Sequence, residues 1–201
     1  GEGLVGGTNY GIVGNILNPP PPYGSGSLNN GVNVGYVHTD SEGNPVKDQS
    51  VSFKINPTHY YKGHLWPTVD DKWSNEPVWD ETNTTIIRGT TAVCLSEDFN
   101  KNGNLDDGED INNNGALEPT NDATVTGSGI TDENGKMVVQ VIYPKSSAWW
   151  SRQRIEATVS VDGTEFIEYT DFGLPPLAAD VNSTDVSPPN LTSPYGVFGG
   201  C

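Results

Sequence analysis

Asp98, Asn100, Asn102, Asp106 and Glu109 stand at positions 1, 3, 5, 9 and 12 of one twelve-residue stretch, with Gly103 at position 6 and Leu105 at position 8. Each of the five side chains ends in an oxygen donor, and Asn104 at position 7 adds a backbone carbonyl. A hard divalent cation such as Ca²⁺ takes six to eight oxygens at about 2.3 to 2.6 Å, and this spacing wraps them around one point. A second copy begins at once. Asp110, Asn112, Asn114 and Glu118 repeat positions 1, 3, 5 and 9, Gly115 repeats position 6, and Ala116 offers the carbonyl at position 7. Its twelfth position is Asn121, followed by Asp122, so the bidentate carboxylate is missing there. The second site is therefore expected to be weaker or to use a different closing ligand. Two Ca²⁺ ions are the expected cofactors.

Eight acidic residues lie between 97 and 122 against Lys101 alone, a density that repels itself unless a cation offsets it. The competing reading is a solvated, acidic, Asn-rich hairpin with no ion. No amphipathic helix flanks either copy, so the metal is expected to order a loop rather than to work a switch.

The charge of the whole chain points the same way. It has 201 residues, 26 acidic against 10 basic, and a formal net charge of −16. That balance argues against binding a nucleic-acid backbone, which needs clustered Lys and Arg, and against anionic membrane surfaces. No stretch approaches the roughly 18 to 20 apolar residues of a membrane span, and the chain reads as a mature, soluble protein beginning at Gly1. Two cysteines, Cys94 and Cys201, permit one intramolecular disulfide and equally a bridge between chains. An acidic, Asn-rich, Cys-poor composition favours an extracellular or cell-surface setting.

The elements that must position the acidic loops show a period of two. Val32, Val34 and Tyr36 alternate with small or polar residues, as do Val51, Phe53 and Ile55, then Met137, Val139, Val141 and Tyr143, then Ile155, Ala157, Val159 and Val161, and a further run surrounds Phe166. Less regular candidates lie at 84–95 and 123–130. Residues 1–31 form an extended Gly/Asn/Pro-rich arm that includes Pro19 to Pro22, and 171–201 a Pro-rich tail in which no helix or central strand is expected. Segments 57–82 and 96–122 read as insertions without strand character. What remains of 32–170 is 86 residues, the size of an all-β, immunoglobulin-like β-sandwich of about seven strands. Long inserted loops on such a scaffold are where function is usually carried.

The run Asp40-Ser-Glu-Gly-Asn-Pro-Val46, then Val51-Ser-Phe53, then Thr131-Asp-Glu-Asn-Gly135 leading into Val138-Val-Gln-Val141, and finally 155–161, resembles the bacterial Ig-like repeats of the invasin and intimin type. The resemblance covers roughly 36–170 and implies a rigid extracellular module without catalysis. This chain departs from it in having one unit with long tails and insertions. The tandem D-x-N-x-N-G loops are in turn similar to EF-hand calcium loops and to those of dockerins, without the helices.

The remaining candidate chemistry is aromatic. His59, Tyr60, Tyr61, His64, Trp66, Trp73 and Trp79 crowd one insertion, suited either to a satellite core or subunit contact or to stacking on sugar rings. No nucleophile elbow, nucleotide-binding glycine loop or haem motif occurs, and the carboxylates fall in ion-binding spacing, so no catalytic residue is expected. The expected function is a calcium-stabilised extracellular structural subunit of a bacterial surface. It would self-associate into a fibre through its terminal arms or join another surface-assembly partner. The alternative is an adhesin binding a glycan or receptor through the aromatic insertion.

Overall fold

A computed structural model describes Asn15, Ile16 and residues 27–201, apart from positions 81, 83, 84, 126 and 162. Most of the N-terminal arm, with Pro19 to Pro22, lies outside the described residues. The strands are β1 (Asn15–Ile16), β2 (Asn29–Val37), β3 (Ser50–His64), β4 (Trp66–Pro67), β5 (Trp73–Ser74), β6 (Val78–Trp79), β7 (Ile86–Leu95), β8 (Thr124–Val125), β9 (Ser128–Ile130), β10 (Lys136–Pro144), β11 (Ser151–Val161) and β12 (Thr164–Gly173). They form one antiparallel sheet in the order β1-β2-β10-β8 and another in the order β12-β11-β3-β7-β6, with β9 also paired to β3. The chain is an all-β, immunoglobulin-like sandwich.

Its main core joins the inward faces of both sheets. Val32, Val34, Tyr36, Val139, Val141 and Tyr143 from one meet Val51, Phe53, Ile55, Ile155, Ala157 and Val159 from the other. These are the alternating positions, and alternation is what places every second side chain on one face. Each Val, Ile and Phe among them contributes roughly 1.5 to 3 kcal/mol by leaving water, and Ala157 less. Met137 is only partly buried against this core, and Phe166 lies on an exposed strand.

Three expectations about elements require correction. First, the aromatic insertion is not free of strand. β3 continues through Pro57 to His64 and pairs from His59 onward with β7. It can do so because the register with β11 shifts between Arg152 and Gln153, opposite Pro57 and His59, and a bulge tolerates a residue without an N–H. Second, the candidate strand at 123–130 is two strands in different sheets. β8 pairs β10, β9 pairs β3, and the Gly127 carbonyl between them accepts from Phe53 N–H at 2.8 Å. Third, the C-terminal tail, in which no helix is expected, contains one helical turn, and the strand that enters it, β12, lies at a sheet edge and is not a central strand. β12 runs to Gly173, one helical turn covers Ala178–Val181, and the rest is laid on the sandwich.

That last segment builds a second core. Tyr60, Leu65, Cys94, Trp150 and Tyr195 cluster, with Tyr61, Trp73, Ala92, Trp149 and Leu191 packed against them. Trp150 is fully buried and its indole N–H donates to the Asn190 carbonyl at 2.7 Å. Leu65 N–H donates to Leu191 O at 2.8 Å, Ser193 N–H to Gly63 O at 3.0 Å, and Gly63 N–H to Gly196 O at 3.0 Å. Cys94 and Cys201 are bonded to each other within the chain, which resolves the pairing.

The turn motifs meet at one end of the sandwich. Asp40 Oδ1 accepts from Glu42 and Asn44 N–H, and Asp132 Oδ1 accepts from Asn134 and Lys136 N–H. These bonds favour the charged carboxylates and hold both below their ordinary range. Gly135 has φ +66, and a Cβ there would lie 2.3 Å from the His38 carbonyl oxygen. Gly135→Ala should therefore lower stability by roughly 1 to 3 kcal/mol, seen as a reduced denaturation midpoint at unchanged slope. Gly43→Ala, at φ +88 but with open space around it, should cost less, since only backbone strain is added.

Candidate calcium-binding loops

The acidic insertion leaves the end of β7 and is clamped at its root. Ser96 N–H donates to Thr58 O at 2.9 Å, and Glu97 N–H to Glu118 O at 2.8 Å. Ala123, just after it, is buried in the main core. Lys101 at the outer rim reaches Glu156 of β11 at 2.8 Å. The insertion is thus fastened to the second sheet at both base and rim.

Within it the two copies fold alike. Asp98 Oδ1 accepts from Asn102 N–H at 3.0 Å and its Oδ2 from Gly103 N–H at 2.9 Å; Asp110 Oδ1 accepts from Asn114 N–H and its Oδ2 from Gly115 N–H, both at 2.9 Å. Asn100 Oδ1 accepts from Asn102 N–H, as Asn112 Oδ1 does from Asn114 N–H, both at 3.0 Å. Asn102 Oδ1 accepts from Asn104 N–H at 2.7 Å, as Asn114 Oδ1 does from Ala116 N–H at 2.8 Å. Backbone angles repeat as well: Lys101 and Asn113 have φ +60 and +58, and Gly103 and Gly115 have φ +78 and +76. The residues assigned to positions 1, 3, 5 and 7 are therefore brought together in each loop.

Closure departs from expectation. Glu109 is 4 % exposed; its Oε1 accepts from Phe99 N–H at 3.0 Å and Asn100 N–H at 3.4 Å, and its Oε2 from Asp106 N–H at 3.0 Å. Glu97 is 1 % exposed and treats the second loop the same way. Its Oε1 accepts from Ile111 N–H at 3.2 Å and Asn112 N–H at 3.4 Å, and its Oε2 from Glu118 N–H at 3.0 Å. Phe99, Asn100 and Asp106 are positions 2, 3 and 9 of the first loop, and Ile111, Asn112 and Glu118 are positions 2, 3 and 9 of the second. Glu97 therefore stands to the second loop as Glu109 stands to the first.

The residues expected near the second loop's twelfth position lie elsewhere. Asn121 is exposed, and the Asp122 carboxylate accepts from Thr120 and from the Tyr195 hydroxyl, joining the insertion to the second core. Burial and the neighbouring Asp122 charge push the Tyr195 phenol up. Sequence reasoning counted Glu97 among the acidic residues but gave it no role. The signal was present: Glu97 and Glu109 are twelve residues apart, each immediately before the first ligand of a loop.

The donor set fits a calcium ion better than a softer metal. Among the described residues no three His, Cys, Asp or Glu side chains converge into a ready-made cation site. Each loop instead joins carboxylates to Asn amides, oxygen-bearing side chains of the kind Ca²⁺ accepts. Asn100 and Asn102 both direct Nδ2 at Asp106 Oδ2, at 2.7 Å, and Asn112 directs Nδ2 at Glu118 Oε2, at 2.7 Å. The Oδ1 of each of these amides meanwhile accepts from the backbone N–H two residues on, so turning the amide to present Oδ1 to a cation would give up that bond and set Nδ2 against an N–H. Tyr60 lies beside the second loop, its hydroxyl 3.4 Å from Asn112 Nδ2. Burial foremost, opposed by the Asn112 bond and reinforced by Glu118 and Glu97, pushes its phenol up to about 12.

No protein-family model matches this chain, and no curated protein matches it.

Proposed function

We propose that this chain is a non-enzymatic, calcium-stabilised structural subunit of an extracellular bacterial surface, of the Ig-like kind that its turn motifs resemble, and that it assembles into a fibre. The observation that carries the reading is the pair of equivalent loops, each closed on a buried carboxylate and fastened to a rigid sandwich. Two Ca²⁺ would bring the formal charge from −16 to −12 and relieve the crowding of acidic groups in the insertion. The ion orders a segment with no helix pair to swing, so its role is structural.

Assembly falls to the N-terminal arm. The C-terminal segment is held to its own sandwich by the second core and by Cys94–Cys201. The arm is uncharged after Glu2 through residue 26, and adding it as a strand to a neighbour is a head-to-tail contact that does not close on itself. Support for a glycan-binding surface is thinner. Tyr60, Trp73 and Trp150 are drawn into the second core, Arg88 lies 5.7 Å over the Trp66 ring, and Trp79 is 49 % exposed. Negative-stain microscopy of the full chain in calcium tests the proposal. Fibres are expected, shortened or lost in chelator, whereas isolated particles at high protein concentration in calcium would contradict it.

A further inference from the structure

The chain contains four Asn-Gly pairs, at 30–31, 102–103, 114–115 and 134–135. Asparagine before glycine is open to attack on its own side-chain carbonyl carbon by the next backbone nitrogen, because glycine has no Cβ to hinder the approach. The fold treats the four pairs differently. Asn30 is fully buried, and its pair lies inside β2, opposite Tyr143 and Ile142 of β10. Asn134 is exposed, but Gly135 is locked on both sides: its N–H donates to Asp132 O at 2.9 Å and its carbonyl accepts from His38 N–H at 2.8 Å. Ring closure at either place has to break pairing that the sandwich depends on. Asn102 and Asn114 are exposed, and each is followed by an exposed glycine.

In the two loops the carbonyl is prepared and the nucleophile is held back. Asn102 Oδ1 accepts from Asn104 N–H at 2.7 Å, and Asn114 Oδ1 from Ala116 N–H at 2.8 Å. A backbone donor at that distance draws electron density from Cγ and stands where negative charge develops as the carbonyl is attacked. The attacking nitrogens are tied elsewhere. Gly103 N–H donates to Asp98 Oδ2 and Gly115 N–H to Asp110 Oδ2, both at 2.9 Å. A bond to a carboxylate is stronger than one to a neutral acceptor, and the adjacent negative charge opposes loss of the amide proton. Asn102 is restrained further, since its Nδ2 donates to Asp106 Oδ2 at 2.7 Å.

We infer that Asn102 and Asn114 are sites of spontaneous deamidation, with the Asp98 and Asp110 carboxylates as the restraints that set the rate. The glycine nitrogen bonds to Cγ and gives up its proton, the Cγ–Nδ2 bond breaks, and the side-chain nitrogen leaves with that proton as ammonia. The cyclic imide then takes up one water at either carbonyl and opens to aspartate or to its β-linked isomer. One amide and one water thus become one carboxylate and one ammonium ion, with no oxidant or cofactor. Each event adds a negative charge to a segment that already carries eight acidic residues between 97 and 122. The β-linked product also adds a carbon to the main chain at position 5 of the loop. The restraint lies in the turns themselves and does not rest on the calcium reading.

Peptide mass spectrometry of the full chain tests this, by reading the replacement of the side-chain NH₂ by OH at each Asn-Gly pair during incubation in warm, mildly alkaline buffer with calcium. In the unmodified chain Asn102 and Asn114 should react ahead of Asn30 and Asn134. Asp98→Ala frees the Gly103 nitrogen and should speed reaction at Asn102 about ten- to a hundredfold, the range for one charge-assisted bond, with Asn114 unchanged. Asp110→Ala should do the converse. An unmodified chain in which Asn30 or Asn134 reacts first would overturn the inference, as would loop sites that stay intact while the same chain reacts in urea. A rate at Asn102 that does not rise in Asp98→Ala, or a rise shared equally by Asn114, would also overturn it.

Discussion

Stripping calcium from the full chain should lower its thermal midpoint by roughly 10 to 20 °C, and restoring calcium should recover it. Ligand present at about 100 times its dissociation constant stabilises by about 2.7 kcal/mol per site, so two sites contribute roughly 5 kcal/mol. In a chain of this size each kcal/mol moves the midpoint by about 2 to 4 °C. The loss should be local at first. Glu97, Glu109, Asp98 and Asp110 gather backbone N–H groups only while the loops hold their turns, whereas the main core takes no side chain from 97–122. Circular dichroism in the far ultraviolet should thus change little below the midpoint, while amide exchange across 97–122 accelerates. Scans that coincide in calcium and in chelator would contradict the prediction.

Reducing the Cys94–Cys201 bond should destabilise the chain by a comparable amount. The bridge closes a sequence separation of 107 residues, and in the chain-entropy account a loop of about 100 residues is worth about 4.7 kcal/mol. Cys94 lies in the second core, and the bridge ties the last residue of the chain to β7. Without it, the hydrogen bonds from Trp150 to Asn190 and between Gly63, Leu65 and the 191–196 segment must hold the C-terminus alone. Cys94→Ser/Cys201→Ser should show a lower urea midpoint together with red-shifted tryptophan emission at intermediate urea, as Trp150 is uncovered. Serine at position 94 also places a hydroxyl in an apolar cluster, so reduction of the unmodified chain is the cleaner comparison. Matching midpoints with and without reductant would show that the segment is held by packing alone.

The two halves of the molecule differ in how plainly the sequence announces them. Alternating Val, Ile and Tyr in β2, β10 and β11 leave little choice of face, and their buried members are the alternating ones. β3 was legible only as far as Ile55, because passage through Pro57 depends on a bulge set by its neighbour β11. The division of 123–130 between two sheets depends on tertiary pairing, which a short run with Gly127 and Gly129 does not specify. The C-terminal segment shows no period, since its order comes from single anchors such as Asn190, Tyr195 and Cys201. In the loops, ligand types and spacing were legible residue by residue. The exchange of closing carboxylates was not, because Glu97 precedes the first loop and acts on the second.

Titration calorimetry of calcium into chelator-treated protein tests the account at its centre. The unmodified chain should bind two ions. Glu97→Gln should bind one, losing the second loop's site, while Asn121→Ala should still bind two. No heat in the unmodified chain, or two undiminished sites in Glu97→Gln, would contradict it.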